Sequence, residues 1–187
     1  MTQILSQNDL QAADIILTAG QDNASLLIRT LTSSKFSHAL LYDNDGFVIE
    51  AIPTGVIRRP LKDAIAHKSE AKVYRYKELS KEQAAVILTY ARGLAKSAHK
   101  YDWIGAFAAG VKKNPALGIG IVGLKGYIII MVGGLNNSEN FFCSELVIEA
   151  YKQANIPIIT GRLSSNTPEN IVSAVSHDIL QYVGALM

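Results

Sequence analysis

The sequence predicts an α+β domain. Short runs of strand character gather in the first half of the chain, and helical periodicities lie on either side of them. The chain has 187 residues, 49% of them hydrophobic and 18% charged. That length suits one domain, residues 1–187, with its own core, and that composition argues against disorder.

Ala13-Asp14-Ile15-Ile16-Leu17 reads as a first buried strand. Residues 24–31 read as a short helix. Ser37 to Tyr42 is a strand, Asp43-Asn44-Asp45-Gly46 a turn, and Phe47 to Ile52 a returning strand, which together make a hairpin ended by Pro53 and Gly55. Leu61 to His67 suits a helical turn or two, and Lys72 to Tyr76 alternates like a third strand. Ser80 to Ser97 is the clearest helix, because Ser80 and Gln83 form a capping box ahead of apolar residues at helical spacing. Residues 103–111 have helical character too. Phe142 to Ala154 places Cys143, Leu146, Val147, Ala150 and Tyr151 on one helical face. Thr167-Pro168 starts another helix, with Thr as N-cap and Pro at the first position, and Asp178 to Val183 is a last strand.

A net charge of +2 without a dense basic run excludes an ordinary nucleic-acid binder. One cysteine permits no intrachain disulfide. The start, Met1 to Asp9, has neither a basic nor an apolar signal region, so synthesis is expected to leave the chain in the cytoplasm, with signal-less export open. Leu117 to Leu135 is apolar except for Lys125 and is broken by glycines. It lies in an apolar, glycine-rich insertion of about residues 112–137. A buried or substrate-covering segment, with peripheral membrane contact open, fits it better than a membrane span.

Cys143 carries the chemistry. Near the start of a helix, a thiol meets the positive end of the helix dipole and free backbone N–H groups, which favour the thiolate and can hold an oxyanion. Taken alone, a single cysteine is more often a buried structural residue. His38, in the strand Ser37-His38-Ala39-Leu40-Leu41-Tyr42, supplies a base. Glu50, inside an apolar strand, is costly to bury unless paired. A three-residue loop Asn44-Asp45-Gly46, built as a type I turn with Gly46 left-handed, sets Leu40 opposite Glu50. His38 and Glu50 then become diagonal neighbours on one face. A loop one residue shorter or longer would part them. Glu50 is therefore placed to orient the imidazole. Tyr101 and Tyr42 are candidates to line the cleft. Gly118-Ile119-Gly120-Ile121-Val122-Gly123 matches a dinucleotide pattern but lacks its strand–turn–helix setting. His67, His99 and His177 have no partners at metal-ligand spacing, so neither metal nor cofactor is expected.

The run Ala13-Asp14-Ile15-Ile16, then Ser37-His38-Ala39-Leu40-Leu41-Tyr42, then Val48-Ile49-Glu50-Ala51, then Phe142-Cys143-Ser144-Glu145-Leu146-Val147 resembles the permuted NlpC-type papain-like enzymes, in particular the YiiX-like branch. Tyr101-Asp102 and Thr167-Pro168 are similar as well, whereas Ala13 stands where a glycine is usual. The resemblance implies a permuted papain-like fold in which a small antiparallel sheet packs against the cysteine helix. It carries over Cys143 as nucleophile, His38 as base and Glu50 as orienting acid. The expected activity is a thiol hydrolase or acyltransferase acting on an amide or ester through a thioester. The apolar insertion tilts the substrate toward a lipid or other acyl group. A peptidoglycan-type amidase, secreted as a toxin, and a binding module without activity are the alternatives.

Overall fold

The computed structural model describes residues 2–52, 55–96, 119–124, 127–132, 136–159 and 167–187. It is a mixed α+β structure built on a seven-stranded sheet. In chain order the elements of that sheet are β1 (Ile4–Leu5), β2 (Ile15–Gly20), β3 (His38–Tyr42), β4 (Phe47–Ile52), β5 (Gly55–Pro60), β6 (Lys68–Tyr76) and β10 (Leu180–Leu186). The spatial order is β1-β10-β6-β2-β3-β4-β5. Pairing is antiparallel throughout except between β1 and β10. Sequence alone led to a small sheet. The enlargement comes from the edges, where β5 and the two-residue β1 carry no alternating pattern.

The helices are α1 (Asn23–Thr32), α2 (Leu61–Ile65), α3 (Lys81–Lys96), α4 (Ser138–Gln153) and α5 (Pro168–Ser176). The sheet is buried on both faces. Ile15, Leu17, Ala39, Leu41 and Ile49 meet Ile87 and Leu88 of α3 and Leu146, Val147 and Tyr151 of α4 on one face. Ile16, Leu40, Val48 and Val73 meet Leu61 and Ala64 of α2 on the other. This explains the unbroken apolar run of β2, in which every residue is buried. The α3 capping box is present, with Gln83 N–H donating to Ser80 Oγ at 3.1 Å and Ser80 N–H to Gln83 Oε1 at 3.0 Å. Thr167 and Asn170 form the corresponding box on α5.

Two local expectations change. The cysteine helix begins at Ser138, not Phe142. Its first residues are polar and add nothing to the apolar period, so periodicity could not locate that end. The hairpin tip is also of the other hand. Asn44, Asp45 and Gly46 all have positive φ, of 59°, 50° and 77°. Phe47 N–H closes on Asn44 O at 2.9 Å, so Asp45-Gly46 form a left-handed turn rather than a type I turn. The loop length of three stands, and so does the register, with Leu41 opposite Ile49 and Tyr42 opposite Val48.

The apolar insertion contributes a second sheet of β7 (Ile119–Leu124), β8 (Tyr127–Val132) and β9 (Asn136–Asn137). Ile119 pairs with Val132 and Leu124 with Tyr127, so the run folds as a hairpin. Strands β8 and β9 lie against α4. Residues 103–111, expected to be helical, lie outside the described residues. Among the described residues no helix is long and apolar enough to cross a membrane.

Candidate functional site

Strand β2 fixes the first part of the site. Ala13 enters it with φ 66°, a left-handed conformation that glycine adopts more readily. The carboxylate of Asp14, almost fully buried, accepts from Arg75 Nε and Nη2 at 2.7 Å each and from Gln11 N–H at 2.8 Å. These bonds lock the start of β2 to β6. Ser37 N–H donates to Thr18 O at 2.9 Å, which leads the chain into β3, with His38 its first residue and paired with Thr18.

The three expected residues come together. Extending the β3–β4 register by one step sets Leu40 opposite Glu50, so His38 and Glu50 are diagonal neighbours. His38 Nε2 and Glu50 Oε2 are 2.5 Å apart. Glu50 is fully buried and His38 half-buried. The imidazole is also hydrogen-bonded to the Cys143 side chain. Cys143 is fully buried and belongs to the core under α4, on the Ala39–Leu41 side of the sheet. Thiol and imidazole therefore meet where β3 begins, not through the middle of the sheet.

Electrostatics tie the cluster together. Burial opposes charge on His38, but the negative charge and hydrogen bond of Cys143, followed by those of Glu50, outweigh it and push the imidazole up to about 9. Burial likewise opposes charge on Glu50, yet His38 and then Arg59 hold its carboxyl below the usual range. Cys143 is the sixth residue of α4, past the first turn in which the helix dipole acts. The dipole of the helix start, which the sequence suggested, therefore does not reach the sulfur.

Tyr42 lies at the far end of β3, buried, its hydroxyl accepting from Gly46 N–H at 3.1 Å. It braces the hairpin tip, two residues along β3 from Leu40 and four from His38. Tyr101 lies outside the described residues. Two residues were missed by sequence reasoning. Arg59, on the unforeseen β5, pairs with the second oxygen of Glu50. Glu145, two residues from Cys143, is half-buried, and burial reinforced by Glu149 pushes its carboxyl up to about 7. Neither stood in a pattern that marks chemistry.

Fold and cluster together define a mixed α+β protein in which one thiol, one imidazole and one carboxylate are joined across a helix and two adjacent strands. Among proteins of known description, the chain is similar to the probable lipoprotein peptidase YaeF of Escherichia coli strain K12, with 26% identity over 196 residues, 95% of this chain and 71% of the relative. It shares its fold with the metalloprotein YiiX of Escherichia coli O157:H7, at a TM-score of 0.59 and 20% identity, covering 94% of this chain and 97% of that one. No family model matches the chain. Among the described residues, no three His, Cys, Asp or Glu side chains gather as a group that could hold a metal ion.

Proposed function

We propose that the protein is a cysteine hydrolase of the permuted papain-like kind, acting on an amide or ester carbonyl. The observation that carries this reading is His38, which bridges the buried Glu50 and the Cys143 thiol and is held toward its charged form by both. Cys143 Sγ attacks the carbonyl carbon while His38 takes the thiol proton. The tetrahedral intermediate collapses as the imidazolium gives that proton to the leaving amine or alcohol, leaving a thioester. Water then attacks the thioester, its proton passing to His38, and the acid leaves as the thiol is restored. Glu50 keeps Nε2 protonated, fixes the ring and balances its charge.

The substrate class best supported is a peptide or ester that bears a lipid chain. The similar YaeF is named a probable lipoprotein peptidase. Strand β8 of the apolar hairpin lies against the helix that carries Cys143, so a greasy group held by the hairpin would sit beside that helix. The test is incubation with a synthetic diacylated lipopeptide, the same peptide without its acyl chains, a lipid extract and muropeptides, followed by mass spectrometry. Cleavage of the lipopeptide or a lipid ester, lost in Cys143→Ala, is expected. Cleavage of muropeptides alone would replace the lipid reading with the amidase one, and no Cys143-dependent change in any of them would overturn the hydrolase.

A further inference from the structure

Glu50 has two oxygens and uses both. Oε2 meets His38, while Oε1 meets the guanidinium of Arg59, which arrives from β5. Register explains the placement: Arg59 pairs with Val48 and Ile57 with Glu50, so Arg59 is a diagonal neighbour of Glu50 on the face the two share. The Glu50 side chain is 1% exposed and that of Arg59 36%, so the cation reaches from a solvent-facing edge to a carboxylate that water does not reach. From this geometry we infer that Arg59 is a positioning residue of the catalytic cluster, one that keeps Glu50 anionic and thereby extends the activity of Cys143 and His38 to lower pH.

A buried carboxylate with one charged partner takes up a proton more readily than one with two; a permanent cation against its other oxygen opposes this. Arginine suits the task because it does not titrate in the working range. No other charge substitutes for it among the described residues. Next along β5, Arg58 pairs with Asp43, as does Arg92 from α3. Lys62 and Asp63 on α2 are exposed to solvent. Cys143 on α4 engages His38, while Glu145, on the same helix, adds negative charge of its own once ionised. The direction of the effect follows. As pH falls, protonation of Glu50 removes the partner of the imidazolium and with it the support for the thiolate. A variant without the cation reaches that point at a higher pH.

This inference rests on the cysteine hydrolase reading, and one experiment separates the two. The rate of Cys143 alkylation by iodoacetamide is measured from pH 4 to 10 in the wild type, His38→Ala, Arg59→Gln and Arg59→Lys. In Arg59→Gln the acid limb should move up by about one pH unit, the scale a neighbouring opposite charge exerts, and Arg59→Lys should restore it. If Arg59→Gln does not fold, Arg59→Met keeps the packing of the stem and carries the same comparison. A wild-type rate that does not depend on His38 would sink the hydrolase reading itself. A rate that depends on His38, with an acid limb unmoved in Arg59→Gln, would overturn only the role of Arg59. So would a lower amplitude with the limb in place, since that is what loss of packing alone produces.

Discussion

Replacing Cys143 by Ala should change the titration of His38 more than any other single substitution. The ring is lifted from 6.5 to about 9, which corresponds to about 3 kcal/mol of preference for the imidazolium. Its side chain is only 19% exposed, so solvent screening takes little from that figure. Burial works against this lift, and of the two groups that produce it the thiol contributes more than the carboxylate. Loss of the sulfur should therefore lower the ring's midpoint further than Glu50→Gln does. Removing both leaves burial unopposed and should carry the midpoint below 6.5. The assay is a titration of the imidazole nitrogens by NMR in the wild type, the two single variants and the double variant. Unfolding gives an independent check. A ring depressed below its unfolded value costs stability as pH falls through about 6.5, with a slope of at most about 1.4 kcal/mol per pH unit. The urea midpoint of the double variant should show that loss. The wild type, whose ring is already charged in that range, should not. A midpoint still near 9 in Cys143→Ala would refute the coupling of thiol and imidazole.

Other sites make further expectations testable. Arg75→Met strands the buried carboxylate of Asp14, which among the described residues keeps only the Gln11 N–H, and should cost about 3–5 kcal/mol in urea unfolding; a loss under about 1 kcal/mol would mean that the pair is dispensable. At Ala13, glycine relieves a left-handed backbone worth about 1–2 kcal/mol. It also sacrifices a fully buried methyl worth about 0.8 kcal/mol and loosens the unfolded chain by about 0.4–1 kcal/mol. These nearly cancel, so Ala13→Gly should shift stability by less than about 1 kcal/mol, and a loss above about 2 kcal/mol would show that packing, not backbone strain, governs the site.

The pairing of His38 with Glu50 was legible because it depends only on loop length. Three residues between Asp43 and Phe47 set the parity of every contact across the hairpin, and the parity survived even though the turn took the opposite hand. The helical period around Cys143 was legible, but its depth in α4 was not, because capping and polar first-turn residues leave the apolar period untouched. Strand β5 was hidden for a related reason. Gly55-Val56-Ile57-Arg58-Arg59-Pro60 places two arginines side by side on opposite faces, each answering a different carboxylate, so no alternation shows. The insertion was ambiguous because a long apolar run with scattered glycines does not distinguish a buried hairpin from a loose flap.

The strand order has a consequence for how the protein is made. His38, Glu50 and Arg59 all lie ahead of Tyr76, on strands that pair with one another and, through β2, with β6, without help from anything later in the chain. A chain emerging from the ribosome can thus bring His38, Glu50 and Arg59 together while Cys143 is still unmade. The thiol arrives only with α4, which must dock onto a sheet whose charges are already set. At no stage of synthesis does the Cys143 thiol precede the charged groups it packs beside.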